Sequence, residues 1–216
     1  MMSMMTFSRI TGAPDPLIIN NTPLPNRNVT VLEWLNSRPA FRGRVGAAAA
    51  WNVFVAIINV GRSRLPVFVT QQQSTPGSVS PRIAEIEMWM ADIPPISPSE
   101  NFDAFVYHAT LDMFDTLKPR VFLLALGEPD EWAHARRYDR YLYSIQRCDR
   151  FIRQLWEKLQ ALPQYRDTTS IVLSPDHGRG IAPADWTSHG KKIPHSEQTW
   201  FAAFGPDTPA RGERRD

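Results

Sequence analysis

Apolar and polar positions divide this chain into a few short hydrophobic runs separated by stretches of helical period. Residues 121–126 (VFLLAL) are continuously apolar, as a strand buried on both faces is, and Gly127 and Pro129 interrupt the run. Residues 170–173 (SIVL) form a second β-rich run, flanked by Asp167 and Thr168 on one side and Pro175 on the other. Between the two runs, Tyr141, Leu142, Ile145, Cys148, Ile152, Leu155, Leu159 and Leu162 step mostly by three or four. That spacing predicts one long helix over 135–162, stopped by Pro163. A strand, a helix and a strand in this order predict a right-handed crossover, hence an α/β fold with a largely parallel sheet and helices on both faces.

The upstream pattern is less regular. Residues 12–28 hold four prolines and four asparagines around a short LII run, which predicts extended chain and turns. Asn28 or Thr30 can cap a short helix carrying Val31, Leu32 and Leu35, which Pro39 ends. Residues 44–50 (RVGAAAA) predict a buried strand running into Trp51, although period alone does not separate this from a helix. A strand over 67–70 leads into a polar loop over 71–80 that is long enough for a lid or specificity loop. Pro81 begins a helix through Met90, whose Met88 and Met90 side suits a core. Ser99 is the predicted cap of a further helix with the stripe Phe102, Phe105, Val106, Ala109, Met113 and Leu117, and His108 beside that stripe reads as a structural histidine. Residues 200–204 (WFAAF) predict a terminal strand ended by Gly205 and Pro206.

Composition narrows the possibilities. With 216 residues and 43% hydrophobic content, one core and one domain over 1–216 is the expectation, with an irregular start over 1–28 and a frayed tail over 207–216. A formal charge of +2 spread over mixed acids and bases argues against nucleic acid as the main partner. The basic cluster at 211–215 also contains Glu213 and adjoins Asp216, which favours a solvated terminus. Cys148, the only cysteine, excludes an intramolecular disulfide and suits core packing. No window approaches the roughly 18 apolar residues of a membrane span. The opening MMSMMTFSRITG lacks the basic region and cleavage site of a signal peptide, so the compartment is not indicated.

Candidate chemistry follows the two apolar runs. Asp130 and His134 lie four apart, on one side of a helical turn, where a carboxylate and an imidazole suit zinc. Taken alone, such a pair reads more readily as a solvated helix face. Asp176 next to His177 is a stronger signal, because adjacent ligands past a strand need a tight turn and Gly178 provides one, although a capped turn explains it equally. His189 before Gly190 is a third, individually weak candidate. In open α/β sheets ligands bind beyond the carboxyl ends of strands, so clusters that follow two strands can share a crevice.

In combination these motifs resemble the alkaline phosphatase superfamily, most closely its nucleotide pyrophosphatase/phosphodiesterase-like branch and related bacterial phosphatases. EPDEWAH resembles the family's EPD-x-x-x-H, PDHG its DHG and SHG its final HG, and VTVLEWLNSRPAF and FGPDTP also resemble its members. The resemblance implies an alkaline phosphatase-like fold and two divalent metals, usually zinc. Asp130, His134 and His189 would hold one metal, and Asp176 and His177 the other, the first being the more complete site. It further implies hydrolysis of a small phosphorylated or sulfated substrate by two-metal phosphoryl transfer. Family members carry the Ser or Thr nucleophile and one further Asp ligand on an N-terminal strand and helix, and are often exported. Neither Thr6 nor Ser8 follows a strand ending in Asp, so no nucleophile is assigned and impaired catalysis, or an inactive metal-binding remnant or interaction domain of the same fold, is the corresponding expectation. An absent first strand would also leave a sheet edge for a partner or a second copy to cover. Arg179 could contact a phosphate oxygen but reads better as an exposed surface arginine, His195 is a weaker alternative to His189, and Asp185 could orient a ligand.

Overall fold

Small side chains allow the run RVGAAAA to become the middle of a sheet. In the computed structural model, which describes residues 10–72 and 80–214, β1 (Val45–Ala49) lies between β2 (Val67–Val69) and β3 (Val121–Ala125), parallel to both. Every β1 residue is buried. The strand period then sends alternate side chains to opposite faces and builds two cores. Val45, Ala47, Ala49, Val67 and Val69 pack with Leu32, Phe54, Ile57 and Ile58. Ala48, Ala50 and Phe68 pack with Ile83, Ile86, Phe105, Val106, Ala109 and Met113. The first core is covered by α1 (Val31–Asn36), α2 (Phe54–Ile57) and α3 (Val60–Ser63), and the second by α4 (Pro81–Asp92) and α5 (Asp103–Thr116). This is an α/β arrangement with a small parallel sheet, helical on both faces.

The chain falls into two compact units, Met1–Ile145 and Gln146–Asp216. The first unit also contains α6 (Glu128–His134) and the start of α7 (Tyr138–Ala161). The second contains the rest of α7, β4 (Ile171–Leu173) and β5 (Ala202–Phe204). No helix among the described residues is long and apolar enough to cross a membrane.

Several local expectations are met. Thr30 caps α1 by accepting from the Glu33 N–H at 3.1 Å, and Ser80 caps α4 by accepting from Ile83 N–H at 3.1 Å. Residues 12–28 form neither helix nor strand. They are pinned instead by Arg62, which donates to the backbone carbonyls of Asn26, Arg27 and Asn28 and through two nitrogens to the Glu33 carboxylate at 2.8 and 2.9 Å. A planar fork is needed to reach all of these acceptors, and an ammonium group is not one. Arg62→Lys is therefore expected to lower stability by about 1 kcal/mol, a modest figure because the side chain is partly exposed, measured as a shift in urea midpoint at constant slope. An unchanged midpoint would show that the segment is held by its other contacts.

Other expectations are corrected. The run at 121–126 is not buried on both faces: all of β3 is half-buried, whereas β2, the other edge of the same sheet, is buried throughout. β4 does not extend a parallel sheet either. It pairs antiparallel with β5, Leu173 opposite Ala202 and Ile171 opposite Phe204. The returning chain at 202–204 offers β4 a partner of opposite direction, which element order alone cannot reveal. Met88 faces solvent, while Met90 packs partly against the second core. Leu142 and Ile145 of the α7 stripe are exposed, and His108 is also outward, its ring edge-on to Tyr107. Residues 1–9, 73–79 and 215–216, including Thr6, Ser8 and most of the loop proposed as a lid, lie outside the described residues.

Candidate metal centre

The first half of the candidate chemistry begins where β3 ends. Gly127 is the N-cap of α6, Pro129 sits in its first turn, where its missing N–H costs nothing, and Asp130 and His134 follow on one side of the helix. His134 Nε2 lies 3.2 Å from Asp130 Oδ2.

What fixes α6 is a contact that local sequence does not predict. Ser99 does not cap α5: its N-cap is Phe102, which has no capping side chain. Glu128, fully buried, accepts from the Asp103 N–H at 2.8 Å instead. Asp103 returns the bond, accepting from Gly127 N–H at 2.7 Å and Glu128 N–H at 3.2 Å. Each carboxylate thus satisfies the orphan donors and faces the positive end of the other's helix. Glu128 also accepts from the Trp132 indole N–H at 3.4 Å. A Cβ at Gly127 would fall 1.3 Å from Glu100 Oε1, so a larger residue there would have to displace that buried carboxylate. The residues Glu100, Asp103 and Glu128 were not singled out by sequence; the only signal was the E of the EPD motif.

The second half lies in the second unit, past β4. Asp176 Oδ1 is 3.3 Å from His177 Nε2. The His177 Nδ1 is 2.8 Å from the Gly178 carbonyl, which can only accept, so Nδ1 carries the proton and Nε2 becomes the nitrogen with a lone pair. The ring of His189 lies against that of His177, with centroids 4.2 Å apart.

These donor sets pass a test of fit. Four ligands around zinc at bond lengths of about 2.0–2.1 Å stand about 3.3 Å from each other in a tetrahedron. The Asp130–His134 and Asp176–His177 separations, 3.2 and 3.3 Å, both match. Backing of a ligand histidine by a carbonyl on its other nitrogen is also the usual second layer of such sites.

The remaining candidates take other roles. Gly178 is needed for space rather than for a turn: its φ is not in the left-handed region, but a Cβ would meet the Gln198 and His195 carbonyls at 2.5 and 2.7 Å. Arg179 is not an exposed surface arginine. It is partly buried, donates to the Trp186 carbonyl at 3.3 Å, and burial pulls its pKa down to about 10, so it still carries its charge near neutral pH. His195 has a left-handed backbone and turns its Nδ1 to the Gln198 amide at 3.1 Å. Asp185 packs against Gly180. No family model, curated protein or solved structure matches this chain, so the reading of the site rests on its own residues.

Proposed function

We propose that this protein is a metal-dependent hydrolase of phosphate esters with the site logic of the alkaline phosphatase superfamily. The observation that carries the reading is the pair of Asp–His units, each with tetrahedral ligand spacing, on segments that follow β3 and β4. As the resemblance implies, one carboxylate and two imidazoles, Asp130, His134 and His189, would hold one divalent metal. Asp176 and His177 would hold a second, and zinc suits both sets.

When bound, the two cations would activate an attacking oxygen and neutralise the leaving oxygen of the ester. The protein's own residues supply placement. The reciprocal caps of Asp103 and Glu128 set the direction of α6, and the Gly178 carbonyl sets the tautomer of His177. Arg179, charged and two residues beyond His177, is suited to a phosphate or sulfate oxygen of the substrate. The attacking hydroxyl is not assigned to any residue.

Purified protein reconstituted with zinc should hydrolyse an aryl phosphate and bind up to two zinc ions per chain. Chelation, His134→Ala and His177→Ala should each lower the rate by about a hundredfold or more. Hydrolysis insensitive to chelator and to both substitutions would overturn the reading. Stoichiometric zinc without turnover would instead identify a metal-binding domain that has lost catalysis.

A further inference from the structure

We infer that Ser196 is a positioning residue that holds the two ligand-bearing loops of the second unit in register, an inference that rests on His177 and His189 being metal ligands. Ser196 is 5% exposed, and its side chain engages both backbone polar groups of one residue, Gly190. Its Oγ accepts from the Gly190 N–H at 3.0 Å, and its single proton is shared between the Gly190 and Ile193 carbonyls, each at 2.8 Å. Its own carbonyl accepts from the Gly178 N–H at 2.8 Å. One residue thus ties down the neighbour of His189 through its hydroxyl and the neighbour of His177 through its backbone.

Packing does not do this work at Gly190. Its φ is +109°, and a Cβ built there would meet nothing within 4 Å. A glycine in open space has a wide choice of conformations, so hydrogen bonds must select the one observed. The Ser196 hydroxyl engages both the N–H and the carbonyl of that residue. Moving Gly190 would move His189, whose ring stands 4.2 Å from that of His177. Ligand placement of this kind is what the second layer of a metal site contributes.

Cobalt(II) alone, titrated into the full chain and followed by its visible absorption, tests the inference. Ser196→Ala should weaken cobalt binding by about tenfold to a hundredfold, whereas Ser196→Thr, which keeps the hydroxyl, should stay within about threefold of the parent. Thr169→Ala removes a comparable hydroxyl-to-carbonyl bond, to Tyr165 at 2.8 Å. It should lower stability and leave cobalt affinity unchanged, which separates positioning from a general loss of stability. In the metal-free protein, amide exchange at Gly190 should accelerate by about tenfold or more in Ser196→Ala. Wild-type cobalt affinity in Ser196→Ala, or unchanged exchange at Gly190, would overturn the role given to Ser196. A parent protein that binds no cobalt, or binds it equally well as His189→Ala, overturns the metal reading and this inference with it. The two failures differ in which protein departs from expectation.

Discussion

Glu128→Ala is expected to lower the unfolding free energy by about 3 kcal/mol, read from urea denaturation of the metal-free protein. The side chain is fully buried and accepts from the first N–H of α5 and from the Trp132 indole. Truncation leaves the Asp103 N–H without this acceptor inside the protein and opens a void the size of a carboxyethyl group. A hydrogen bond to a charged group contributes about 1.5–3 kcal/mol, and an unfilled cavity adds to the loss. Relief of repulsion from Asp103 offsets part of this. Glu128→Gln keeps an acceptor oxygen in the same place and should cost about 1 kcal/mol. A double-mutant cycle with Asp103→Ala should give a coupling energy above about 1 kcal/mol, since each carboxylate caps the other's helix. Additive effects would mean that the two caps act independently and that the start of α6 is fixed by something else.

The second large effect is expected at Gly178. A methyl group there would sit 2.5 Å from the Gln198 carbonyl and 2.7 Å from that of His195, both backbone atoms that cannot rotate aside. The segment carrying Ser196 would have to retreat by about half an ångström or more, lengthening the 2.8 Å bond from Gly178 N–H to the Ser196 carbonyl. Overpacking of this kind costs about 1–3 kcal/mol, and the displaced ligand loops should lose about tenfold or more in cobalt or zinc affinity. Gly61→Ala is the control. In α3 the nearest atom to a new Cβ is 4.0 Å away, so this change should be neutral or stabilise by up to about 1 kcal/mol. If Gly178→Ala retains parental stability and metal affinity, the close approach is not a constraint on the site.

Much of the first unit was legible in order. The apolar runs at 44–50, 67–70 and 121–126 became strands, the helix at 81–92 began at the predicted proline, and α7 ended before Pro163. These succeed because a short continuous apolar run, a capping residue and a proline act within a few positions of themselves. The Asp130–His134 pairing was legible for the same reason, as four residues make one helical turn. Burial of β3 was overstated because an apolar run does not say what packs on its two faces, and Met88, Leu142 and Ile145 were placed inward on period alone.

By itself, the sequence determined the α/β alternation, the two Asp–His motifs and their position after two apolar runs. Tertiary structure alone decided which strands pair, giving β4 an antiparallel neighbour from a segment near residue 203. It also decided that α5 takes its cap from Glu128 and that Ser196 clamps the loop of His189. The physical reason is shared. Each of these bonds joins groups whose separation in the chain carries no period and no local propensity, so they form only once the folded chain has brought those groups together.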